Sequence, residues 1–285
     1  MSPSAVITPS PSPEPTASPT ATPEPTPSTD PAVPIHAEFD ASRFSNGAVI
    51  DNAWLPLQPG RRWIVEGVTI EDGERIPHKI SFTVTTLTKM IAGVRTAVVW
   101  IEDISDDVVV EKEIAFYAQD DDGTVWYLGE HPEEYEDGEF VAAPTWIHGI
   151  EDARAGVKMF ADPSTHTQAL FQGWAPAVEW SDYGRLDEAL PEDCVRVGCY
   201  KDVVRFAESS LGEEGIFQLK SYAKNVGEIR VGWRGEAESR EELELKAAAT
   251  LGSSAVARYD ELARDLEAHA YEISPNVYGQ TERSR

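Results

Sequence analysis

Four acidic residues around one turn have the types and spacing that could bind a calcium ion. The stretch AQDDDGTVWYLGE places Asp120, Asp121 and Asp122 beside a glycine between two apolar runs, and Glu130 follows on the second run. Carboxylate oxygens are ligands that Ca²⁺ prefers, but an EF-hand register built on Gly123 lacks acids at its first and last positions. The stretch is therefore either a calcium site formed by these four residues or the solvated tip of a β-hairpin.

A second group combines aromatic side chains with a histidine. Trp174, Trp180 and Tyr183 lie in an irregular part of the chain, and His148 precedes them. Aromatic walls with a few polar groups suit an apolar or sugar-like small molecule. We interpret these four residues as a ligand site at the mouth of a barrel, with filling of the hydrophobic core as the alternative role of the tryptophans.

Catalytic chemistry has weaker support from the sequence. No nucleophile elbow, phosphate-binding loop or paired-histidine zinc helix occurs in the chain. The catalytic candidates are His148 and His166, which a barrel fold could bring together; both could equally be ordinary turn or surface residues. Carboxylate pairs for glycoside hydrolysis could be picked anywhere among 50 acidic residues, so none is singled out.

The two cysteines, Cys194 and Cys199, flank a glycine in EDCVRVGCYKD. Across a tight hairpin, residues five apart can face each other at the separation that a disulfide needs. We predict a disulfide here, with free thiols or a soft-metal site as the alternatives.

The elements that must position these residues are predominantly β-strands. Asp-Gly pairs, the strongest short-range hairpin signal, separate runs of alternating β-branched residues, and residues 61 to 143 predict about six antiparallel strands. Residues 144 to 190 predict loops with one or two strands, and three further strands follow up to residue 234. The alternation of apolar and charged residues in EELELKAAAT favours a strand over a capped helix. Residues 253 to 273 have apolar residues at helical spacing and predict a helix, with Ser253 or Ser254 as its N-cap. The fold class is mainly β, an antiparallel meander forming a barrel or sandwich with one C-terminal α-helix.

The first 34 residues differ from the rest in composition. They hold 11 of the 20 prolines, no basic or aromatic residue and three acids. Such a segment cannot bury enough apolar surface to order itself, so we predict a disordered stalk at 1 to 34, either a plain linker or an O-glycosylated one, and a single domain at 35 to 285. We expect an extracellular or cell-surface protein, tethered by an N-terminal anchor that this chain lacks.

Charge excludes several classes of partner. The net charge of −26 repels nucleic acid and anionic lipid, and no apolar stretch is long enough to span a membrane as a helix. No cofactor is expected apart from calcium, and a small molecule or a glycan is the expected ligand. The sequence does not define the oligomeric state.

Four stretches resemble a family of exported, lipoprotein-like bacterial proteins: VIDNAWLPLQPGRRWIVEG, FYAQDDDGTVWYLGE, KSYAKNVGEIRVG and LEAHAYEISPNVYG. These are packing and turn signatures, so the resemblance implies an exported antiparallel β-domain, similar to lipocalin or lipoprotein-carrier barrels, and assigns no catalytic residue. The chain departs from the family pattern at His148, where an acidic or small residue is usual.

Three functional hypotheses follow. The first is an exported, non-catalytic binding or scaffold module with its ligand in an aromatic-lined barrel mouth. The second is an extracellular hydrolase acting on a glycan or an ester, and the third is a calcium-stabilised surface assembly protein. A histidine and acid cluster around a cleft would favour the second hypothesis, whereas an apolar cavity would favour the first.

Overall fold

The structure, a computed structural model, describes residues 33 to 213 and 215 to 285. Most of the predicted stalk, residues 1 to 32, lies outside this part of the chain. The described residues form a closed, twelve-stranded antiparallel barrel with one α-helix near the C-terminus. The barrel alternative of the sequence prediction is therefore confirmed, and so is the C-terminal helix.

Fourteen strands and one helix follow in chain order: β1 (Arg61–Glu71), β2 (Glu74–Ile91), β3 (Val94–Ser105), β4 (Val108–Gln119), β5 (Val125–Glu136), β6 (Glu139–Ala142), β7 (Trp146–Ile147), β8 (Arg154–Met159), β9 (Leu170–Ala175), β10 (Trp180–Val195), β11 (Gly198–Ser209), β12 (Phe217–Ala223), β13 (Gly227–Arg234), β14 (Ser239–Thr250) and α1 (Ser253–Ile273).

The barrel closes through pairings that are distant in sequence. Consecutive strands form hairpins from β1 to β5 and from β8 to β14, and β14 then pairs with β1 along its whole length. The ring is completed where β8 pairs with β5, while β6 and β7 add to β5 outside it. Closure leaves no long unpaired edge among these twelve strands, which stabilises an antiparallel sheet of this size.

Tight turns enforce the hairpins. Asp72 and Gly73 both have positive φ, at 50° and 83°, and Asp137 and Gly138 repeat this pattern. Positive φ at two successive residues is the type I′ requirement, because its twist matches that of the flanking strands. The Asp-Gly pairs therefore form the turns that the sequence predicts at these two positions.

Hydrophobic side chains form two main layers. One lies inside the barrel and includes Trp63, Val99 and Tyr222. The other lies between the outer face of the barrel and α1, where Trp100 and Phe116 from the strands pack with Leu266 from the helix. The second layer explains why β3 and β4 are apolar on both faces, since each face is covered.

One end of the barrel is closed by the segment 49 to 58, which we call the plug. Its Leu55 and Leu57 are buried with the interior residues. Asn52 holds it: the side-chain amide donates to the carbonyls of Gly123 and Phe160 at 2.9 Å each, and its oxygen accepts from the backbone of residues 54 and 55. The opposite end, formed by turns such as 72 to 73 and 106 to 107, is the mouth.

Two sequence predictions need correction, and the helix adds an unexpected feature. Residues 144 to 190 hold β7, β8, β9 and the start of β10, more strands than expected, because β7 and β8 are too short to show clear alternation. Helix α1 begins at Ser253 with Gly252 as its N-cap, so no serine hydroxyl caps it. Its buried face carries Asp260 and Glu267 as well as apolar residues, which hydrophobic spacing alone does not reveal.

No α-helix in the described part of the chain has the length and apolar character needed to cross a membrane.

Candidate functional site

The interior of the barrel holds a cavity of about 200 Å³, which we call the interior cavity. Four aliphatic residues line it: Leu55 and Leu57 from the plug, and Val99 and Ile101 from β3. Six aromatic side chains also line it: Trp63, Phe82, Tyr117, Tyr127, Trp180 and Tyr222. The other six lining residues are acids and lysines: Glu113, Glu130, Lys158, Asp182, Lys220 and Glu228. An aromatic cavity with convergent polar groups is a typical small-molecule site, although it is smaller than the roughly 300–1,000 Å³ of most such sites.

The aromatic walls are built from stacked pairs. Trp63 stacks on Phe82 with ring centroids 4.7 Å apart, and Tyr117 stacks on Tyr127 at the same distance. Trp180 stacks on Trp146 at 5.0 Å. Because each pair fixes its rings by mutual packing, the walls are formed before any ligand enters.

Glycine makes the third pair possible. Gly173 on β9 lies beside both rings, and a Cβ atom at this position would be 2.5 Å from the ring of Trp180 and 2.9 Å from that of Trp146. Any larger residue would therefore displace one of the two tryptophans, so the sequence needs glycine here for a packing reason.

Two lysines share one carboxylate on the wall of the cavity. The ammonium group of Lys220 is 2.9 Å from Glu208, and that of Lys158 is 3.2 Å from the same carboxylate. Gln172 joins them, accepting from Lys158 at 2.5 Å and donating to Glu208 at 2.9 Å. Burial alone would raise the pKa of Glu208, but the two lysines outweigh it and lower this pKa to about 2. Glu208 is therefore ionised at neutral pH.

Glu113 and Glu130 form a pair of carboxyl groups that makes no ion pair with a lysine or an arginine among the described residues. The hydroxyl of Tyr127 contacts Glu113 at 3.1 Å and also contacts Glu130, which accepts from the indole of Trp146 at 2.9 Å. Burial, followed by the charge of Glu130, raises the pKa of Glu113 well above its usual value. Burial also raises the pKa of Glu130, although its hydrogen bonds from Tyr127 and Trp146 oppose this. Two buried carboxyls this close hold at least one proton between them.

Two further carboxyls are poised near neutral pH. Burial and the charge of Glu208 raise the pKa of Asp182 to about 7. Burial raises the pKa of Glu228 to about 7, against the opposing effect of Lys220. Acids in this state change charge in response to what lies beside them, a property common at binding and catalytic sites.

One polar group of the cavity has no partner. Trp63 is 6% exposed, and its indole N–H makes no hydrogen bond within the described residues. A buried donor without an acceptor costs about 1–3 kcal/mol. Since the side chain of Trp63 lines the cavity, a ligand whose acceptor oxygen reaches the indole nitrogen would satisfy this group.

A second cavity, of about 300 Å³, lies at the mouth and includes Asp182 in its lining, so this residue lies between the two cavities. Nearby, the ring of His78 contacts Asp103 at 2.7 Å and Glu241 at 3.5 Å. Burial lowers the pKa of His78, but the hydrogen bond and charge of Asp103 and the charge of Glu241 raise it more, so the net shift is upward. This ring therefore carries positive charge more readily than a free histidine.

Two groups in the described chain have metal-ligand geometry. One is His78 with Asp103 and Glu241, and the other is Glu192 with the two cysteines. The second group lacks thiolates, because both cysteines are oxidised to a disulfide. In the first group the imidazole is already hydrogen-bonded to Asp103, and the hydroxyl of Thr69 contacts its other nitrogen. Of the two groups, only the first could supply metal ligands, and its imidazole would first have to give up one of these contacts.

The structure brings one of the predicted ligand-binding residues, Trp180, to the interior cavity. Trp174 packs against Arg154 and His36, and Tyr183 packs against Phe171, on which His36 stacks. Neither residue lines the interior cavity, because Trp174 and Tyr183 each follow an inward-facing residue, Gly173 on β9 and Asp182 on β10, and so lie on the outer face.

The predicted catalytic histidines are not brought together. His148 accepts a hydrogen bond from the backbone N–H of Ala155 at 3.1 Å and packs on Phe39, and burial lowers its pKa. His166 stacks flat on Phe160, with ring centroids 3.6 Å apart. Each histidine has its own structural partner, and no metal-ligand group of the described chain contains either one.

Three of the four predicted calcium ligands lie together on one turn but are held by protein partners, and the fourth lies elsewhere. Asp120 is buried, where it accepts from the indole of Trp126 at 3.1 Å and lies 3.2 Å from Arg43. Asp121 accepts two hydrogen bonds from Ser45, and Asp122 pairs with Arg43 at 2.5 Å. Glu130 lies inside the barrel instead of at the tip. The tip is the turn between β4 and β5, and its carboxylates bind the segment before β1.

The disulfide prediction is confirmed. Cys194 and Cys199 are bonded and face each other across the β10–β11 hairpin. The tip of this hairpin lies beside neighbouring strands, where Arg230 pairs with Asp193 at 3.0 Å and the backbone of Arg196 donates to Glu244 at 3.1 Å. The disulfide therefore stabilises an extension of the barrel away from the interior cavity.

Sequence reasoning missed most of the site. Trp63, Phe82 and Tyr117 lie in strands that the sequence predicts correctly, but their inward direction depends on the closed barrel. Lys158 and Lys220 carry the clearest overlooked signal: each is a lone basic residue in an otherwise apolar or small-residue run, as in AGVKMFA. A lysine in a buried strand needs a buried carboxylate, here Glu208.

Comparison with known proteins gives one structural likeness. A crystal structure from Parabacteroides distasonis ATCC 8503, which carries the provisional description of a lipoprotein, is similar to this chain with a TM-score of 0.40 and 11% sequence identity. The likeness covers 70% of this chain and 99% of the other. The sequence matches no protein-family model and no curated protein sequence.

Proposed function

We propose that this chain is an exported, non-catalytic binding module that holds a small organic ligand in the interior of its barrel. The observation that carries the proposal is the interior cavity of about 200 Å³, walled by six aromatic side chains around convergent polar groups. The stacked pairs make the walls rigid, which lowers the entropic cost of binding. The unpartnered indole N–H of Trp63 supplies a donor for the ligand.

Export is supported by three independent features. The Cys194–Cys199 disulfide is of a kind that persists in oxidising compartments. The net charge of −26 keeps the chain soluble in an extracellular medium, and the proline-rich first 34 residues have the composition of a spacer between a surface anchor and a domain. We therefore place the binding module outside the cell or at its surface.

The test uses indole, a small aromatic molecule with one polar atom, and the full chain. The thermal unfolding midpoint is measured with increasing indole, and the affinity is then measured by isothermal titration calorimetry. A ligand that binds the native state raises the midpoint by mass action. We expect a rise with the original chain, and a loss of affinity of about tenfold or more in Trp180→Ala, which removes one wall.

Trp174→Ala is the matched control, because it removes the same type of side chain away from the interior cavity. It should leave the affinity for indole unchanged. Equal loss in both variants would place indole on the outer face, and no binding of indole to the original chain would count against a preformed aromatic site. The midpoints of both variants without indole show whether each one folds.

A second candidate function is hydrolysis of a glycan or an ester. It is favoured by the Glu113 and Glu130 pair, where a protonated acid and an ionised carboxylate would share one site. Chromogenic p-nitrophenyl esters and glycosides test it. Turnover that Glu113→Gln abolishes would make the chain an enzyme, whereas turnover unaffected by this variant would come from a contaminant.

A further inference from the structure

We propose that the ligand of the interior cavity is a small organic monocation that also carries an acceptor oxygen, such as an ammonium alcohol. This inference rests on the proposed binding function and names the class of ligand. Three features point to it: the balance of charge inside the barrel, the aromatic side chains, and the buried indole N–H of Trp63, which has no hydrogen-bond partner among the described residues.

The charge balance favours a cation. Five carboxyl groups lie in or against the cavity wall: Glu113, Glu130, Asp182, Glu208 and Glu228. Two lysines, Lys158 and Lys220, lie with them. Both lysines contact Glu208, so their charge is directed to one carboxylate. With Glu208 ionised, one positive charge is left for the other four carboxyl groups. Glu113 and Glu130 share at least one proton, so up to three carboxylates face that single positive charge. A bound cation supplies a counter-charge that the cavity wall lacks, whereas an anion would face surplus carboxyls.

The aromatic side chains supply the second feature. Tyr127, Trp180 and Tyr222 line the same cavity as the carboxyl groups. An ammonium group is attracted to the negative face of an aromatic ring, and several rings together with carboxylates are the common means of recognising quaternary ammonium groups. A purely apolar ligand would use the rings but would supply no counter-charge to the carboxylates.

The third feature defines the other end of the ligand. The indole N–H of Trp63 is buried and has no acceptor in the described chain. A cation alone offers no lone pair, so the ligand needs an oxygen at this position. Choline contains a quaternary ammonium group and a hydroxyl in a molecule smaller than the cavity, and it is the probe for the test.

The test compares choline with 3,3-dimethylbutan-1-ol, which has the same shape but carbon in place of the charged nitrogen. Both are titrated calorimetrically into the full chain at pH 8 and low salt. We expect choline to bind about tenfold or more tightly than the neutral alcohol. Glu130→Gln and Glu228→Gln should each weaken choline binding and leave the binding of the alcohol unchanged.

Glu102→Gln is the matched control. It removes one carboxylate from β3 at a position between the inward-facing Ile101 and Asp103, so its side chain lies on the other face of the strand. It should reduce choline affinity by less than twofold, which is the effect of net charge alone. Thermal unfolding of each variant without ligand shows that it is folded.

The outcomes separate the two proposals. Equal or tighter binding of the alcohol would overturn the cation inference and leave the interior binding function in place. Equal weakening of choline by Glu102→Gln and Glu130→Gln would also overturn it, because choline would then be held by surface charge. If the chain binds indole but not choline, the cation inference is overturned and the binding function stands. If the chain binds neither molecule, the result counts against the binding function itself.

Discussion

Glu228 is a carboxyl group buried in the barrel wall, where it is 8% exposed. Burial raises its pKa from 4.5 to about 7. Between these two pH values the folded chain holds a proton that the unfolded chain has released, so this group lowers stability as pH rises from 4.5 to 7. The cavity therefore keeps a group that destabilises the empty protein, which is typical of a residue retained for binding.

Glu228→Gln should remove this destabilisation. We expect the variant to be more stable than the original chain by about 2–3 kcal/mol at pH 8 and nearly equal to it at pH 4.5. Urea unfolding at the two pH values measures the difference. A loss of stability that is the same at both pH values would show that Glu228 acts through packing instead of charge.

The sequence indicates which residues have side chains suited to binding or catalysis. It is a poorer guide to which of these side chains lie together in the fold. Trp180 was predicted as a ligand residue and lies at the cavity, whereas Trp174, six positions earlier, does not line it. The sequence predicts Glu130 as a calcium ligand beside the hairpin tip, but an extra residue on β5, Leu128, changes the alternation. Tyr127 and Glu130 consequently both face inward. A bulge of this kind has no strong sequence signal, and it decides which side chains meet.

At the scale of elements, α1 is held to the barrel by buried polar contacts as well as by apolar packing. Lys89 on β2 donates to Glu267 on the helix at 2.9 Å, with their side chains 0% and 4% exposed. The backbone and hydroxyl of Ser284 also donate to Glu267, and the hydroxyl of Tyr278 does so at 3.1 Å. The chain after the helix therefore packs back over this ion pair.

Lys89→Met should destabilise the protein by about 3–5 kcal/mol, because Glu267 is left as an unpaired buried charge. The double variant Lys89→Met with Glu267→Leu should recover a large part of this loss, since no buried charge is left. Urea unfolding of the single and double variants forms a double-mutant cycle. Additive effects of the two substitutions would show that the two residues do not act as a pair.

The β10–β11 hairpin is stabilised by a short-range disulfide with a sequence separation of 5. A loop this short removes little entropy from the unfolded chain, so replacing both cysteines with serine should cost about 2 kcal/mol. Indole affinity should not change, because the hairpin tip does not line the interior cavity. Chemical unfolding and calorimetry measure the two quantities, and a loss of indole affinity would show that the hairpin shapes the cavity.

The strands and their turns were largely predictable, and the closure of the barrel was not. The six strands of residues 61 to 143 follow from Asp-Gly turns and alternation, which are local signals. The pairing of β14 with β1 joins residues about 180 positions apart, and nothing in either strand specifies the partner. The plug was also missed, because Asn52 stabilises it through contacts with residues more than 70 positions away.

At the scale of the whole molecule, the net charge of −26 dominates the response to cations. The carboxylates of the β4–β5 turn are held by Arg43, Ser45 and Trp126. Calcium would have to break these contacts before it could bind there. We expect millimolar calcium and millimolar magnesium to raise the unfolding midpoint equally, by screening repulsion. A midpoint several degrees higher in calcium than in magnesium would show a specific calcium site.

The whole barrel combines a sealed end, rigid aromatic walls and a mouth lined by acidic groups. The plug closes one end, so the proposed ligand would have to reach the interior cavity from the mouth, past Asp182. The negative field of the molecule concentrates cations at this mouth and favours their entry. The same arrangement accounts for the acidic composition and for the burial of aromatic residues around ionisable ones.

The most direct test of the central claim is a crystal structure of the full chain soaked with indole. The expected result is ligand density inside the barrel, between the Trp63 and Phe82 pair and the Tyr127 and Trp180 rings, within hydrogen-bonding reach of the interior polar groups. Density beside Trp174 on the outer face, with an unchanged interior cavity, would contradict the claim that the barrel interior is the binding site.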